Sequence, residues 1–412
     1  MSKLFEWSRR LWREAELAAP PLVRQAVMPR VHDARVLTRF LVKPYLTVYQ
    51  WQGQGQGGSL TVNYAGFGDA KPYLKDILFV DKPAECEIGR VPIRRINELA
   101  DWSTGDITII EADEPLIARL PSQKALVLPT FIKMVLDTQG DWEEIDNRFH
   151  KSIRSERRLI RKYGYQFKVS HSDQDFEMFH RDMYLPTMDI RHGELAVSMS
   201  KHEVYQYFRR GLLFLLERDG KYVSGSIGYV DQDVVRFILV GVMNGDQQLM
   251  KEGVVGALNY LRLQWVNQSG YKSVDFGWYR PFMKSMFLNK RKWGTTVDLP
   301  SSQKGRLWIK LQRHTPAVSQ FIQEAPCIVI DKQHRLYGLI TMDHGAIAVK
   351  DNPGVVVSSS SLEGTDDPAN LTDEAKGEWN KKYATPGLDG LLIRSVGELV
   401  EEVEKDNHRE RH

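Results

Sequence analysis

The chain has 412 residues, of which 42% are hydrophobic and 26% are charged, and its formal net charge is +3. This length predicts two or three domains, and the near-neutral balance excludes a protein that coats nucleic acid over its whole surface, so we expect no stable DNA binding. The two cysteines, Cys86 and Cys327, are isolated in sequence. They argue against a disulfide framework or a thiolate metal site and favour a reducing, cytoplasmic compartment.

Residues 1–45 predict a helical segment that is interrupted by several prolines. Its first part, residues 3–15, is amphipathic and carries the basic side chains Lys3, Arg9, Arg10 and Arg13. Such a helix either packs against its own protein or contacts an anionic membrane surface from the cytoplasmic side. No apolar run approaches the about 20 residues needed to cross a bilayer.

Residues 46–140 consist mainly of alternating apolar and polar runs, which are typical of strands. A glycine-rich stretch, residues 53–58, joins two of these runs. Because no helix follows these glycines, the stretch predicts a hairpin loop and not a phosphate-binding loop.

Residues 141–300 alternate helices and strands. Asp141 and Glu144 predict a capping box that opens a helix running to about Tyr163, with Gly164 at its end. A second helix is predicted for residues 173–185, and a third opens at a capping box of two residues, Ser200 and Glu203.

Three consecutive strands are predicted between Leu212 and Val242, followed by a long helix from about Gly253 to Ser269 and a short strand, SVDFG. Two of the three strands are almost continuously apolar, which indicates a sheet covered on both faces.

The remaining sequence is weaker in pattern. Residues 301–357 predict a β-hairpin extension, and residues 391–412 predict a C-terminal helix. Residues 358–390 are polar and have little to bury, which is typical of a flexible linker.

The order of helix, helix, three antiparallel strands, long helix and strand resembles the GNAT acyltransferase superfamily, and more narrowly its FemAB-like branch, which includes peptidoglycan aminoacyltransferases. Besides the three strands, the likeness is carried by four stretches: WEEIDNRFHKSIRSERRLIRKYGYQF, TMDIRHGELAVSMSKHEVYQYF, GVVGALNYLRLQWVNQSGYKSVDFG and LNKRKWG. The resemblance implies an α+β fold with a GNAT-type mixed sheet flanked by helices. It also implies two GNAT-like units in tandem, with residues 46–140 as a degenerate first unit, residues 141–300 as the acyltransferase domain and a C-terminal extension.

The resemblance implies transfer of an acyl or aminoacyl group from a thioester or ester donor to an amine or hydroxyl acceptor, in cell-envelope, polysaccharide or lipid metabolism. The donor would be acyl-CoA or aminoacyl-tRNA, the acceptor a small molecule or an envelope precursor, and no metal is expected.

The donor-binding candidates lie at the start of the long helix, at Lys251, Gly253 and Gly256, because free amides and the helix dipole there favour phosphate. Glu252 would repel a phosphate, so a plain loop entering a core helix is the alternative. The amides of Val240 and Val242, on the preceding strand, are candidates for holding the donor carbonyl.

The resemblance further implies that Tyr279 protonates the leaving group. His192, or a water held by Glu194, would remove the proton of the acceptor. Asp275, at the end of the last strand, is a further catalytic candidate, and its alternative role is to orient Arg280.

Several basic residues are candidates for substrate binding. Arg191 would clamp a carboxylate or phosphate, and the basic stretch 148–162, with Arg154 and Arg158, would bind an anionic ligand or remain a solvated surface. The acceptor side would be closed by Arg280, Lys290, Lys292 and Trp293.

Two alternatives to acyl-CoA-dependent transfer remain open. One is an enzyme that uses charged tRNA. The other is a non-catalytic GNAT-like module that binds an anionic polymer, tRNA or a membrane surface.

Overall fold

The computed structural model describes residues 43–100, 102, 104–121, 125–192, 199–300, 303–324, 328–343, 346–347 and 390–395. The predicted N-terminal helix with its membrane-contact face, almost all of the predicted linker, and residues 396–412 lie outside these ranges. None of the helices within them is long and apolar enough to span a membrane.

The chain forms two compact units, each assembled from separate stretches. The split-sheet unit contains the described residues within Lys133–Gly277 and Asn289–Thr296. The six-stranded unit contains the described residues within Pro29–Ile132, Trp278–Leu288 and Val297–His412.

The six-stranded unit is built on a mixed sheet with the strand order β3-β1-β2-β4-β13-β5. These strands are β1 (Tyr45–Gly55), β2 (Gly58–Gly66), β3 (Ala84–Pro92), β4 (Ile107–Asp113), β5 (Ala125–Pro129) and β13 (Gly305–Leu311). The helices of this unit are α1 (Lys71–Leu78), α2 (Glu114–Ile117), α10 (Lys284–Arg291, whose end passes into the other unit) and α11 (Pro316–Glu324), with a 3-10 segment at Ile93–Leu99.

The predicted glycine-rich hairpin is confirmed, because β1 and β2 pair antiparallel down to Gly55 and Gly58. Strand β13 pairs antiparallel with both β4 and β5. A stretch that the sequence predicts as part of a hairpin extension therefore supplies an inner strand of this sheet. Trp51 and Tyr64 stack at 4.8 Å between ring centroids on one of its faces, where a large part of the core lies.

A smaller sheet in the same unit consists of β14 (Ile328–Ile330), β15 (Leu336–Asp343), β16 (Ala346–Ile347) and β17 (Gly390–Ser395). The predicted hairpin is confirmed, since β14 and β15 pair antiparallel. Residues 390–395 pair parallel with β15. The prediction that the C-terminal helix begins at residue 391 is therefore wrong for its first residues, whose GLLIRS run is apolar and branched and extends a sheet.

The split-sheet unit is built on a seven-stranded mixed sheet with the order β12-β6-β11-β10-β9-β8-β7. Its strands are β6 (Ile132–Asp137), β7 (Gln166–Ser170), β8 (Gly211–Arg218), β9 (Lys221–Asp231), β10 (Val234–Val242), β11 (Ser273–Tyr279) and β12 (Thr296–Asp298). Its helices are α3 (Trp142–Asn147), α4 (Ile153–Tyr163), α5 (Asp173–Met178), α6 (Leu185–His192), α7 (Lys201–Arg209), α8 (Gln247–Lys251) and α9 (Val254–Gln268). The predicted α+β fold, with mixed sheets flanked by helices, is confirmed in both units.

Helices cover both faces of this sheet. Leu213 and Leu215 share a core with Phe176 and Met183, while the intervening Phe214 contacts Trp265 of α9 at 5.5 Å between ring centroids. Because successive side chains of a strand point to opposite faces, α9 covers one face, and the segment from α5 to α7 covers the other.

Of the two predicted capping boxes, the one at Asp141 is absent and the one at Ser200 is present. The helix predicted for residues 141–163 is interrupted, since α3 ends at Asn147, α4 begins at Ile153, and the Asp141 side chain makes no capping hydrogen bond. In the break, the ring of His150 accepts the Ser152 amide hydrogen at 3.2 Å, which closes a local turn that competes with the helix. The capping box at Ser200 and Glu203 is confirmed with both of its hydrogen bonds.

The helix predicted for residues 173–185 continues to residue 192. A π-helical turn, Phe179–Tyr184, joins α5 to α6. Such turns are often found at functional sites. This turn lies against β10, beside the candidate site.

Candidate functional site

Strands β10 and β11 run parallel but pair over only three positions, from Val234 and Ser273 to Arg236 and Asp275. Both strands are described throughout and continue beyond these pairs. On its other side, β10 has an irregularity between Phe237 and Leu239 in its register with β9. A bulge bends its strand and increases the local twist, which accounts for β10 leaving β11 at this point. The sheet is therefore parted along residues 238–242.

An ion pair lies at the fork where the two strands separate. Arg236 Nε is 3.7 Å from Asp275 Oδ2, and Asp275 Oδ1 accepts the Gly277 amide hydrogen at 2.8 Å. Asp275 is buried, with 6% of its surface exposed. Its contacts thus hold the end of the paired region and fix the turn of the chain at Gly277, where the backbone has a positive φ of 88°.

One of the two predicted carbonyl-binding amides already has a partner. The Val242 amide donates to the hydroxyl of Thr187 on α6 at 2.8 Å, and that hydroxyl donates to the Val242 carbonyl at 3.3 Å. Backbone groups of residues two apart in a strand point to the same edge. Val240 therefore directs its amide toward the same parted edge, where the described residues of β11 offer it no pairing position.

Gly241 allows this arrangement. A Cβ added to Gly241 would lie 2.6 Å from the carbonyl carbon of Met183 and 2.7 Å from the amide nitrogen of Tyr184. The π-helical turn thus crosses β10 at a distance that only glycine permits. This close crossing brings Thr187, on the following helix, to the end of β10.

At the start of α9, the predicted donor-binding glycines face helix α4. A Cβ on Gly256 would lie 2.0 Å from a carboxylate oxygen of Glu156, and one on Gly253 would lie 2.5 Å from Leu159. Lys292 places its Nζ 3.7 Å from Glu156. Burial raises the pKa of Glu156, and Lys292 opposes that shift. A carboxylate therefore occupies the space beside Gly256 where the sequence pattern predicts a phosphate. Lys251 is exposed.

The predicted acceptor-side cluster divides between core and surface. Trp293 is 1% exposed and packs edge-on against Phe149 at 5.6 Å between ring centroids, so its ring offers no stacking surface to a substrate. Its prediction as a stacking residue is corrected by this burial. Lys290 lies with its Nζ 5.2 Å from the ring centroid of Phe276.

Helix α4 presents the predicted basic surface. Arg154, Arg158 and Arg161 are exposed, whereas Arg157 pairs with Asp146 at 2.5 Å. Ile153 is buried at the start of this helix. The exposed arginines form a cationic face, here called the α4 basic face.

Tyr279 is the last residue of β11, whose end passes into the six-stranded unit, and Arg280 follows it there. Tyr279 is 3% exposed and its ring contacts that of Phe287. The Arg280 guanidinium lies between the rings of Tyr73 and Phe131, at 4.6 and 4.5 Å from their centroids, and donates to the Asp69 carbonyl. Burial lowers the pKa of Arg280.

The remaining predicted site residues border or lie within residues 193–198, which are outside the described ranges. Arg191 and His192 end helix α6, and their side chains lie outside the described residues, as does Glu194. Among the described residues, no cluster of three or more histidine, cysteine or acidic side chains is suited to hold a metal ion.

No local pattern in the sequence predicts three features of these units. Thr187 and Glu156 act through partners that are distant in sequence, and no local pattern distinguishes them. The third is a cavity of about 790 Å³ beside β5 in the six-stranded unit, lined mostly by apolar side chains such as Trp308 and Val329. Buried Arg306 borders it and pairs with Glu114 at 2.7 Å.

Comparison with known proteins gives structural matches alone, since no family model and no curated protein matches the chain. The crystal structure of FemX is 13% identical, with a TM-score of 0.36, over 70% of this chain and 92% of FemX. L-PGS from Bacillus licheniformis is 12% identical, with a TM-score of 0.31, over 66% of this chain and 88% of L-PGS. A GCN5-related N-acetyltransferase from Anabaena variabilis is 10% identical, with a TM-score of 0.24, over 69% of this chain and 62% of that one. At such TM-scores these likenesses decide neither activity nor substrate, and the fold stands on its own strand order.

Proposed function

We propose that the chain is an acyltransferase that moves an acyl or aminoacyl group from a thioester or ester donor to an amine or hydroxyl acceptor. The parting of β10 from β11 is the observation that carries this proposal. It creates an open strand edge inside a sheet, and such an edge can hold a donor chain by its backbone groups. The Val240 amide, which faces this edge, would donate to the donor carbonyl.

In the proposed reaction, the acceptor nitrogen or oxygen attacks the donor carbonyl and forms the new amide or ester bond, while the C–S or C–O bond to the carrier breaks. The Val240 amide stabilises the oxyanion. The resemblance gives His192 the role of taking the acceptor proton and Tyr279 the role of protonating the departing thiolate or alkoxide. Holding both substrates in place supplies about 7–11 kcal/mol of the barrier reduction in reactions of this kind.

Two donor classes are compatible with this reaction, and the site favours one of them. Glu156 beside Gly256 would repel the pyrophosphate of coenzyme A at the start of α9. The α4 basic face, in contrast, suits a carrier with many phosphates. Both observations support aminoacyl-tRNA over acyl-CoA. An acceptor from cell-envelope, polysaccharide or lipid metabolism, used in the cytoplasm or at the inner membrane face, completes the proposal.

The same Glu156 contact supports a second function, a non-catalytic module that binds an anionic polymer, tRNA or membrane through the α4 basic face. In that case the parted strands would hold no donor.

The test is a transfer assay with purified full-length protein, offering acyl-CoA or charged tRNA as donor and amines as acceptors. Tyr279→Phe and His192→Ala are each expected to lose more than about tenfold activity, the scale on which a positioned proton donor or acceptor contributes. Tyr222→Phe, which removes a hydroxyl that bonds Lys168 of the edge strand β7, serves as the matched control. Full activity in both variants would reject these roles. Absence of turnover with every donor, combined with tight binding of tRNA, would favour the non-catalytic module.

A further inference from the structure

Helix α9 buries an arginine in the core of the split-sheet unit. Arg262 is 4% exposed, and its guanidinium carbon lies 3.4 Å from the ring centroid of Phe237. Nη1 donates to the hydroxyl of Ser226. Nε is buried and has no hydrogen-bond partner among the described residues. A buried donor that has no partner within the chain can be satisfied by a water molecule or by a polar group of a ligand.

Arg262 also lacks a counter-charge in the described part of the chain. Burial alone lowers its pKa, and no acidic group opposes the shift. The buried Arg306 of the other unit differs, because Glu114 supports its charge. An uncompensated buried charge is costly, and an opposite charge beside it offsets much of that cost.

Arg262 lies beside the part of the sheet where β10 separates from β11. Ser226 is paired in register with Val240, and its hydroxyl donates to the Leu239 carbonyl at 2.7 Å. Arg262 therefore lies at the level of Val240, on the face of the sheet that α9 covers.

We propose that Arg262 binds a carboxylate carried by the group that enters between β10 and β11, so that the transferred acyl group has a free acid at its far end. This inference rests on the proposed acyl transfer and specifies its substrate class. A guanidinium matches a carboxylate with two parallel hydrogen bonds, and the attraction is strong where water is excluded. An uncharged acyl group would leave Arg262 without its counter-charge.

The first measurement is the melting temperature of the free protein in sodium chloride. Arg262→Met removes an unsupported charge while keeping a long apolar side chain, so it is expected to melt at the same temperature as the native protein or higher. Arg306→Met is the matched control, and it is expected to melt lower because it leaves Glu114 without its arginine. A melting temperature of Arg262→Met below the native value, or a failure of that variant to fold, would show that Arg262 is structural and overturn the proposal.

The second measurement replaces chloride with sodium succinate at equal ionic strength. Succinate is expected to raise the melting temperature of the native protein, because a ligand that binds the folded state stabilises it. Arg262→Met is expected to show no rise, and Arg262→Lys, which keeps the charge but not the planar fork, a smaller one. Equal rises in the native protein and Arg262→Met would overturn the proposal. Neither measurement needs turnover, so their outcome is independent of the transfer assay.

Where transfer is observed, the substrate class is tested directly. The native protein is expected to use a succinyl donor at least about tenfold better in kcat/KM than the acetyl donor on the same carrier, and Arg262→Met to lose that preference. A native preference for the acetyl donor would contradict the inference while leaving the acyltransferase function intact.

Discussion

The hydroxyl of Thr187 accepts the amide hydrogen of Val242 at 2.8 Å and donates to the carbonyl oxygen of the same residue at 3.3 Å. Thr187 is 1% exposed. One side chain of α6 therefore satisfies both backbone groups at the end of β10, where β11 has moved away. This pair of hydrogen bonds defines the end of the parted edge, and the Val240 amide of the same strand faces that edge.

Thr187→Val is expected to destabilise the protein, because it keeps the shape of the side chain but leaves two buried backbone groups without partners. The expected decrease in the free energy of unfolding is about 1–3 kcal/mol. Urea unfolding of the native protein, Thr187→Val and Thr187→Ser provides the measurement. Thr187→Ser retains the hydroxyl and should recover most of the decrease, whereas a Thr187→Val variant as stable as the native protein would mean that the hydroxyl bonds contribute nothing.

Gly241→Ala is expected to disturb the crossing of the π-helical turn over β10. The added methyl would meet backbone atoms of Met183 and Tyr184, which cannot rotate away as a side chain does. Overpacking of this kind costs about 1–3 kcal/mol. Gly89→Ala is the control, since no atom lies within 4 Å of its added Cβ. A denaturation midpoint of Gly241→Ala equal to that of the control would show that the turn shifts without cost.

The sequence is informative wherever a local signal suffices. Ser200 and Glu203 form their predicted capping box, and Gly164 ends α4 in the left-handed conformation, because these hydrogen bonds and dihedrals involve neighbouring residues. The α4 basic face is predictable for the same reason, since charges at helical spacing are visible in one stretch.

The sequence is uninformative where partners are distant. Asp141 and Glu144 match a capping box, but the break before Ile153 ends that helix early. Trp293 resembles a surface aromatic beside three basic residues, yet it packs against Phe149 from another stretch of the chain. Gly256 has the sequence context of a phosphate contact, and its open side instead receives Glu156. Arg262 is a single charge within an apolar helix, and this pattern is a usable signal for a buried cation.

The buried carboxyl of Glu111 predicts a pH dependence of stability. Glu111 is 4% exposed and accepts hydrogen bonds from the Tyr64 hydroxyl and the Ala70 amide. Burial raises its pKa despite these bonds. A raised pKa in the folded state means that this group contributes stability fully at pH values below its unfolded pKa, and that the contribution disappears as pH rises through the folded pKa.

Glu111→Gln removes this titration while keeping an acceptor for Tyr64. We therefore compare the free energy of unfolding of the native protein with that of Glu111→Gln. The advantage of the native protein is expected to be larger at pH 4 than at pH 8, by on the order of 1 kcal/mol. Urea unfolding at pH 4, 6 and 8 gives the comparison. A difference between the two proteins that is constant with pH, or that grows toward pH 8, would contradict the raised pKa.

Glu156→Gln tests whether the carboxylate beside Gly256 limits phosphate binding. Removing one negative charge near a phosphate is worth about 1 kcal/mol in water and about 4 kcal/mol in a partly buried site at 4 Å separation. The variant is expected to bind coenzyme A at least about fivefold more tightly, measured by isothermal titration calorimetry. Glu143→Gln, an exposed change on α3, is the control. Unchanged affinity in Glu156→Gln would show that phosphate does not approach the start of α9.

The α4 basic face predicts salt-dependent binding of an anionic polymer. Replacing Arg154, Arg158 and Arg161 together by glutamine removes exposed charges, so stability should change by less than about 0.5 kcal/mol per site. Binding of tRNA should weaken, and the slope of log affinity against log salt should fall by about 0.7–0.9 for each phosphate that the protein no longer neutralises. Triple replacement of the exposed Arg90, Arg94 and Arg95 in the other unit is the matched control. Counterion release depends on where phosphates bind and not on net charge alone. Equal effects of the two triple variants would therefore mean that tRNA responds to the overall charge of the protein. That result would remove the α4 basic face from the proposed donor site.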